Sequence, residues 1–569
     1  MALISIIKDF HPHNYAKLLD KAAELAPSLR HTIVEPVGGF VLKERYSPER
    51  EEIVLHKAHH LAMGKGQNLC LDFGTHVVGY PTLHLTYTGS HPDAPAFLKL
   101  KFAETIGELS ENSGDYDGWV SSSWIQEEYV HVDVLPAEIA LPRRYAFRYL
   151  KITMMDTSPK YKLIVKRAEC RTESSADWGK VPQRTSGDAQ LDRIRAVSLR
   201  TLANCMQDVF EDGPKRDRRL WMGDLRLQAL TNYVSFKNYD LVKRCLYLFA
   251  GSRFPDGRVS ACIFTRPSVE ADDTWLFDYS LLFTIALDDY LRETNDEEAL
   301  LDLYDVAMQQ IELALSYCGP DHLLNEEACD AAFIDWTEGL DKHAAAQAVL
   351  ICAIRSARRL ARRKNDWSQG GWLMEQEDTL KKAVLAAFWD AERGCFLSCR
   401  AERAGDGSPR DKVSERAGDG SPRGEVSKRA GDGSPRGEVS ERAGDGSPRG
   451  QISVASQVWM TLADVLPPEE ARALMERALE IGSDFPMMTP YMHHYYVMAL
   501  LRTGLREQAL QHIRDYWGSM IEAGADTFWE AWNPSDPGAS PYGGRVINSY
   551  CHAWSCTPAY IMEEMELLG

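Results

Sequence analysis

The chain has 569 residues, of which 44% are hydrophobic, and a formal net charge of −19 at pH 7. This length predicts two or more domains. The acidic balance argues against a nucleic-acid partner, because phosphate backbones attract basic surfaces. The sequence has no apolar run of 18 residues, so we expect no membrane-spanning helix.

The N-terminus and the cysteines favour a cytoplasmic protein. The first residues, MALISIIKDFHPHNY, contain a short apolar start but no basic n-region and no clear cleavage site. The 12 cysteines lack the spacing of a disulfide framework; the closest pair, Cys395 and Cys399, is followed by no second pair. This pattern favours free buried thiols in a reducing compartment over zinc sites or disulfides.

Residues from about 33 to 172 carry the pattern of β-strands. Stretches such as HTIVEPVGGFVL and AFLKLKFAE are rich in β-branched and aromatic residues, alternate locally, and are separated by Gly, Pro and Asp. Several short strands joined by turns predict an antiparallel β-sandwich. We therefore assign residues 1–180 to a β-sandwich domain.

From about residue 187 onward, apolar residues recur three or four positions apart, which is the period of amphipathic helices. Around eleven or twelve helices are expected, joined by loops of uneven length. This number suits a closed ring of helix pairs, an (α/α)6 barrel, over residues 181–569. A helical solenoid is the competing topology, although the helices show no self-similarity at a solenoid's period.

A short repeat interrupts the predicted helical domain. The unit RAGDGSPR recurs every thirteen residues, starting at Arg403, Arg416, Arg429 and Arg442. Each unit is rich in Gly, Pro and balanced charge, so it cannot bury enough apolar surface to offset its ordering entropy. We expect a disordered insertion at about 403–450. A calcium-binding loop is disfavoured because the units lack dense acidic ligands.

The most unusual stretch of the sequence is EDGPKRDRRLWMGD, at residues 211–224. It combines four carboxylates with arginines and Trp221, and a Gly-Pro pair indicates a turn before a helix that starts near the tryptophan. A loop that presents acids, bases and an indole to one place suits cleavage of a sugar. A salt-bridged loop with Asp212 or Asp217 capping the helix explains the run equally well.

A second cluster lies near the C-terminus, where Glu530 stands between Trp529 and Trp532 in a Pro- and Gly-rich region. Further aromatic and imidazole side chains follow about twenty residues later: Tyr550, His552 and Trp554. A glutamate between indoles has a tunable pKa and can act as an acid or a base. The alternative is a structural glutamate that satisfies helix ends or an arginine.

Acid-and-tryptophan pairs also occur between these two clusters. FIDWTEG contains Asp335 and Trp336, and DDTWLFDY contains Trp275 and Asp278. A tryptophan at a helix start usually belongs to the core, so each pair alone is weak evidence. Several such pairs at the ends of successive helices would together line one end of a helical barrel.

The motifs in this order resemble the α-L-rhamnosidases of glycoside hydrolase family 78. The residues that carry the resemblance are the Asp-Gly-x-x-Arg-acid-Arg-x-x-Trp-x-Gly-Asp pattern, FIDW, TFWE and the Ser-x-x-His-x-Trp segment (Ser549, His552, Trp554). The stretches LDFGTHVVGYPTLHL and LKFAET are similar to the β-sandwich that precedes the catalytic barrel in that family. The resemblance implies a six-hairpin (α/α)6 glycosidase from about residue 65 to the end, apart from the repeat.

The resemblance also implies roles for individual residues. Asp217 takes the position of the general acid, where many members have Glu, and Glu530 becomes the general base that activates water. Arg216 would orient the cluster. The remaining residues expected to bind or surround the sugar are Asp212, Trp221, Asp224, Asp278, Asp335, Trp336, Trp529, His552 and Trp554.

The prediction is therefore a cytoplasmic, exo-acting, inverting glycoside hydrolase that removes terminal α-L-rhamnose or a related sugar. We expect no cofactor and no metal, because Arg216, Arg218 and Arg219 alternate with the carboxylates and would oppose a dication. The expected partner is a small carbohydrate or glycoside, and the oligomeric state stays open. The alternatives are a six-hairpin glycosidase with another sugar specificity, a catalytically weakened carbohydrate-binding relative, suggested by the shorter Asp217, and a helical scaffold for protein partners.

Overall fold

The computed structural model describes residues 10–44, 49–399, 450–481 and 486–569. The predicted disordered insertion lies outside these ranges, except for Gly450. The described residues on either side of it are close together, because the Ser398 amide donates to the Gln451 carbonyl at 2.9 Å. Among the described residues, none of the helices has the length and apolar character needed to cross a lipid bilayer.

The N-terminal part of the chain consists mainly of antiparallel strands with three short helices between them. The strands are β1 (His13–Asn14), β2 (Arg30–Val34), β3 (Gly38–Leu42), β4 (Arg50–Ile53), β5 (Asn68–Gly89), β6 (Ala96–Ala103), β7 (Glu127–Val132), β8 (Ala137–Ala140), β9 (Tyr145–Asp156) and β10 (Tyr161–Ser174). The helices are α1 (Ala16–Glu24), α2 (Leu55–Ala58) and α3 (Ile106–Leu109).

The long strand β5 organises the antiparallel domain because it joins two sets of strands within one sheet. Its first half pairs with β3 and β9, and its second half pairs with β8 and β10, with an irregular register between Asp72 and Val77. Alternate residues of the strands point inward, as with Tyr161, Leu163 and Val165 of β10. Inward-facing side chains from both sets of strands form one buried cluster, so the sheet closes over itself and this part of the chain is built as a sandwich.

The first described residues pack on the helical domain rather than on the sandwich. Strand β1 pairs with a short strand formed by Ser252–Arg253, and α1 packs against the helix Tyr239–Gly251. The Tyr15 amide donates to the Gly251 carbonyl at 2.8 Å. The sandwich itself therefore begins at β2.

The rest of the chain is helical. Its helices are α4 (Ala189–Cys205), α5 (Met222–Val234), α6 (Tyr239–Gly251), α7 (Phe277–Thr294), α8 (Glu297–Leu315), α9 (Glu326–Asp330), α10 (His343–Arg363), α11 (Trp367–Phe388), α12 (Val454–Leu462), α13 (Pro468–Ile481), α14 (Pro490–Arg502), α15 (Arg506–Glu522) and α16 (Pro558–Glu564). Short strands between them are β11 (Leu220–Trp221), β12 (Ser252–Arg253), β13 (Cys262–Phe264), β14 (Glu270–Ala271), β15 (Trp389–Asp390) and β16 (Cys395–Phe396).

Several helix starts are fixed by side chains that accept a hydrogen bond from the first turn. Asp188 caps α4, Asn238 caps α6, Asp296 caps α8 and Thr489 caps α14. Such caps satisfy backbone amides that have no partner inside the helix. They explain why the apolar periodicity and the observed helix boundaries agree closely.

The helices close into a ring of inner and outer members. In the described part of the chain, the inner ring runs through α5, α7, α10, α12 and α14 and returns to α5 through α16 and the turn Ala553–Ser555 before it. The outer helices are α4, α6, α8, α11, α13 and α15. The inner helices α5, α7, α10 and α14 are buried almost all round. The predicted fold class, a β-sandwich followed by an (α/α)6 barrel, is confirmed, and the solenoid alternative is wrong because the last helix meets the first ones.

Candidate active site

Three loops meet at one end of the barrel. They connect α4 to α5, α9 to α10, and α15 to α16. The Ala553 amide donates to the Asp212 carbonyl at 2.9 Å, and Trp336 packs edge-on against Tyr542 at 5.4 Å between ring centroids. The structure thus brings together the acidic run, the FIDW segment and the C-terminal cluster, which are far apart in the sequence.

Arg216 lies at the centre of this meeting point and is only 4% exposed. Its Nη2 lies 2.5 Å from Glu530 Oε2, and its Nη1 lies 3.7 Å from Asp217 Oδ1. Its Nε donates to the Ile547 carbonyl at 3.1 Å, and its guanidinium lies 3.9 Å from the centre of the Tyr542 ring. One cation therefore contacts both of the carboxylates that the sequence predicts as the acid and the base.

Asp217 differs from the other acids of the site in being open to solvent. Its side chain is 25% exposed. Among the described residues none donates a hydrogen bond to its carboxylate, whereas its backbone amide donates to Asp212 Oδ2 at 3.2 Å. The backbone at this position is thus fixed, while the carboxyl group is available for a ligand.

Asp212 holds the shape of the acidic loop. Its two carboxylate oxygens accept the backbone amides of Asp217 and Arg219, at 3.2 and 3.0 Å. Burial, together with the negative charge of Asp217, raises the pKa of Asp212 to about 8. The same residue also approaches His552, because its Oδ2 is 3.9 Å from His552 Nε2.

His552 stands among three carboxylates. Its Nδ1 lies 3.4 Å from Asp224 Oδ1, and its Nε2 lies 3.6 Å from Glu530 Oε1 and 3.9 Å from Asp212 Oδ2. Burial and the nearby Arg216 cation lower the pKa of His552 well below its usual range, whereas burial raises the pKa of Asp224 well above its own. Asp224 Oδ1 and His552 Nδ1 have no hydrogen-bond partner among the described residues, which is unusual for buried polar atoms and typical of a ligand site.

Glu530 is anchored on both carboxylate oxygens. Oε2 contacts Arg216, and Oε1 accepts the Tyr542 hydroxyl at 2.5 Å. Its carbonyl accepts Trp554 Nε1 at 3.0 Å. Burial raises the pKa of Glu530, and the Arg216 charge opposes this rise. The group is thus a carboxylate held by a cation, with a raised affinity for a proton.

Aromatic rings form the wall opposite the acids. Trp336 packs against Trp554 at 5.5 Å, against Tyr542 at 5.4 Å and against Phe333 at 6.1 Å between ring centroids. Trp336 is partly exposed, whereas Trp554 is buried. Such a wall can stack on the apolar face of a sugar.

Two of the predicted site acids accept hydrogen bonds from the protein itself and do not face an open pocket. Asp278 accepts the amides of Phe333 and Ile334 at 2.8 and 3.0 Å. Asp335 accepts the Thr489 hydroxyl and the Met488 amide, both at 2.8 Å. Burial raises the pKa of Asp335 to about 6. Both aspartates fix the segment that carries Trp336, which gives them a positioning role in this structure.

The two remaining tryptophans predicted for the site, Trp221 and Trp529, lie outside the aromatic wall. Trp221 ends the loop at the start of α5, and its buried Nε1 has no partner among the described residues. Trp529 packs edge-on against Trp532 and Tyr550, at 4.8 and 5.1 Å, and has no ring contact with the aromatic wall. The structure places Trp529 behind Glu530, where it supports that segment.

The sandwich supplies a second set of buried charges that the sequence reasoning missed. Lys215 is 1% exposed, and its Nζ lies 2.5 Å from Glu108 Oε2 and donates to the Asn548 carbonyl at 2.8 Å. Glu104 accepts the Tyr550 amide at 2.7 Å on one oxygen and contacts His76 Nε2 at 2.9 Å on the other. We call Glu104, Glu108 and Lys215 the interdomain clamp, because they tie two of the three site loops, α4–α5 and α15–α16, to the sandwich.

The sequence contains only partial signals for these residues. Thr105 and Glu108 have the spacing of a capping box, which the structure contains at α3, but that pattern does not indicate an interdomain ion pair. Tyr542, which holds Glu530, lies in a Pro- and Gly-rich loop that looked like a connection. No periodicity relates these positions to the site, since the Glu108 contact joins two domains and the Tyr542 contact lies within one irregular loop.

The residues that the structure describes contain no group of three or more His, Cys, Asp or Glu side chains placed to hold a metal ion. Asp217 and Glu530 instead share the Arg216 guanidinium as a positive partner. The site therefore has the parts for acid and base chemistry on a bound sugar: an open carboxyl, an anchored carboxylate, unpartnered polar atoms and an aromatic wall.

Models of two protein families match parts of this chain. A model of the family 78 α-rhamnosidase N-terminal domain matches residues 46–172, and a model of the bacterial α-L-rhamnosidase six-hairpin glycosidase domain matches residues 183–412. No curated protein sequence matches the chain significantly.

Among the solved structures, one relative is similar to this chain over nearly its full length. A rhamnosidase from Klebsiella oxytoca, solved with rhamnose bound, is 40% identical and has a TM-score of 0.86 over 98% of this chain and 99% of that chain. A family 78 rhamnosidase of Bacillus sp. GL1 is 20% identical, with a TM-score of 0.69 over 91% of this chain and 49% of that chain. A Streptomyces avermitilis α-L-rhamnosidase complexed with L-rhamnose is 14% identical, with a TM-score of 0.61 over 95% and 44%. The last two show likeness of fold alone.

Proposed function

The chain belongs to glycoside hydrolase family 78, the α-L-rhamnosidases, and we propose on this premise that it removes terminal α-L-rhamnose from small glycosides by inversion. The family resemblance predicted from the sequence motifs is thereby confirmed, as is the prediction of a glycoside hydrolase. The proposal concerns the finer points: the sugar, exo action and the two carboxylates that carry the reaction.

In the proposed reaction, Asp217 protonates the glycosidic oxygen while Glu530 removes a proton from a water molecule. That water attacks the anomeric carbon from the face opposite to the leaving group, so the configuration inverts. Charge builds up on the sugar ring as the bond breaks, and the carboxylates around it stabilise an oxocarbenium-like transition state.

The observation that carries the proposal is the position of Arg216 between Asp217 and Glu530. Because one guanidinium contacts both carboxylates, the two acids lie close enough to act on one glycosidic bond, as the proposed pair requires. The environments of the two carboxyl groups also differ, as the separate roles of an acid and a base require. Asp217 is open to the leaving group, whereas Glu530 is held as a carboxylate by Arg216 and Tyr542.

The deep position of the polar groups supports the proposal of exo action. Asp224, His552 and Glu530 are only 2–6% exposed, so a substrate must enter end-on to reach them. Asp224 Oδ1 and His552 Nδ1, which lack partners, suit the hydroxyls of one terminal sugar, and Trp336 suits its apolar face. A 40% identical relative solved with rhamnose bound makes rhamnose the favoured sugar.

A panel of nitrophenyl α- and β-glycosides tests this proposal. Turnover of the α-L-rhamnoside above all others supports it, and preference for another sugar would replace rhamnose while leaving the site intact. Binding without turnover on every substrate would instead favour a carbohydrate-binding relative. The same panel after dialysis against a chelator should give unchanged rates, because the Arg216 guanidinium supplies positive charge beside Asp217 and Glu530.

The cysteines support a place in a reducing compartment such as the cytoplasm. Ten of the 12 cysteines are buried, and the other two are partly buried. Burial raises the pKa of several thiols, for example Cys70 and Cys245 to about 12, so they are poor nucleophiles. Free thiols of this kind are typical of proteins that are kept reduced. Unchanged activity and melting temperature in the presence of a thiol reductant would agree with this placement.

A further inference from the structure

Trp119 is an exposed indole on the sandwich side of the site. It lies in the connection between β6 and β7 (residues 104–126), and 58% of its surface is exposed. Large exposed aromatic side chains need no explanation when they are scattered. This one, however, belongs to the loop that contacts Tyr542, the residue that holds Glu530.

The Trp119 loop is fixed against the C-terminal loop by several contacts. Trp119 Nε1 donates to the Pro541 carbonyl at 3.0 Å, and the Tyr116 hydroxyl donates to the Tyr542 carbonyl at 3.1 Å. At Gly118, a Cβ atom would lie 2.0 Å from the Tyr542 carbonyl oxygen, so only glycine permits this approach. The indole is therefore held in a defined orientation while its face stays open to solvent.

The rings between Trp119 and the sugar site form a continuous row. Trp119 lies 5.5 Å from Tyr542, and Tyr542 lies 5.4 Å from Trp336, which contacts the buried Trp554 at 5.5 Å. Trp554 and Tyr542 are buried and Trp336 is partly exposed, whereas Trp119, at the other end of the row from Trp554, is 58% exposed. The row leads from the deep site outward.

From this arrangement we infer that Trp119 is a stacking platform for the leaving group, the part of the substrate beyond the terminal sugar. The inference rests on the proposed function, in which Asp217 protonates the oxygen that joins the two parts. Arg216, which lies over Tyr542, also contacts Asp217, so the leaving group passes close to this row. The ligand is a flat apolar face, supplied either by the C–H face of a second sugar or by an aromatic aglycone.

The test measures binding in a Glu530→Gln background, so that substrates stay intact. Calorimetry compares free L-rhamnose, a rhamnosyl disaccharide and an aryl rhamnoside, with Trp119 kept, replaced by Phe or replaced by Ala. Trp119→Ala should weaken the disaccharide, the aryl glycoside or both by about three- to tenfold, as expected for loss of one aromatic stacking contact. Free rhamnose should bind unchanged. Trp119→Phe keeps a flat ring without the Nε1 donor and should retain most of the affinity.

The control is Trp367→Ala, which removes a 69% exposed indole from the outer helix α11, and it should leave all three affinities unchanged. A loss for one ligand type alone identifies whether a sugar or an aromatic ring is recognised. Unchanged binding in Trp119→Ala would overturn the inference. An equal loss for free rhamnose would also overturn it, because Trp119 would then act only by supporting Tyr542. If the parent variant bound none of the three ligands, the proposed function itself would fail.

Discussion

Arg216 Nη2 lies 2.5 Å from Glu530 Oε2, although 314 residues separate the two in the sequence. Both side chains are buried, and a buried ion pair is favourable only when further hydrogen bonds satisfy its remaining polar atoms. Tyr542 supplies one such bond to Glu530, and the Ile547 carbonyl accepts one from Arg216. The pair therefore fixes the proposed base relative to the proposed acid.

Replacing Glu530 by Gln should abolish most turnover while preserving sugar binding. Gln keeps the size and most hydrogen-bonding capacity of the side chain but cannot take a proton from water, and loss of general-base catalysis typically costs at least about a hundredfold. Steady-state kinetics and calorimetry with L-rhamnose check the two parts. Glu522→Gln, at an exposed position on α15, is the matched control. Intact turnover in Glu530→Gln would assign the base elsewhere.

Replacing Asp217 by Asn should affect substrates according to their leaving groups. A poor leaving group needs protonation as it departs, whereas an activated nitrophenolate does not. We therefore expect a large loss of kcat/KM on a rhamnosyl disaccharide and a smaller loss on the nitrophenyl rhamnoside. Equal losses on both substrates would show that Asp217 binds a sugar hydroxyl, and Asp212 or Asp224 would become the candidate acid.

The interdomain clamp should couple the stability of the sandwich to the conformation of the acidic loop that carries Lys215 and Arg216. Glu108→Gln leaves the Lys215 ammonium buried with only the more distant Glu104 carboxylate, at 3.8 Å, as an anionic partner, and removal of one partner from a buried pair costs about 3–5 kcal/mol. Calorimetry should show a lower melting temperature, and kcat should fall because Lys215 precedes Arg216 in the acidic loop. The double variant Glu108→Gln, Lys215→Met removes the stranded charge and should recover part of both losses. No recovery would mean that Glu108 acts independently of Lys215.

The pKa of Asp212 should make stability fall as the pH rises. Burial and the Asp217 charge raise this pKa from the usual 3.8 to about 8, so between these values the folded protein keeps a proton that the unfolded chain releases. The contribution of Asp212 to the free energy of unfolding therefore decreases across this window. Asp217→Asn removes one cause of the shift and should flatten the fall of the melting temperature between pH 5 and 8. Parallel pH profiles for the two proteins would contradict this origin.

The sequence predicted the fold well because apolar residues recur with a different spacing in each domain. Inward-facing residues of β10 alternate, and the buried helices place apolar residues three or four apart, so both patterns report local burial. The short β1 and α1 were not predicted, because their role depends on contacts with α6 and β12, which no local pattern encodes.

The candidate site was predictable where several acidic and aromatic residues lie close together in the sequence. The loop at 211–224 and Glu530 stood out because acids and indoles together are hard to explain as core. Asp278 and Asp335 looked the same in sequence, yet the structure uses their oxygens to hold backbone amides. Tyr542, Glu108 and Trp119 escaped notice because their importance comes from contacts between domains and loops.

The stereochemistry of the first product tests the central claim most directly. Proton NMR can follow the anomeric signal of the sugar released from an aryl α-L-rhamnoside before mutarotation equilibrates it. If Asp217 and Glu530 act as acid and base across a water-filled gap, β-L-rhamnose must appear first and the α-anomer only later. Initial formation of α-L-rhamnose would show retention through a covalent intermediate and would contradict the assignment of Glu530 as a base that activates water.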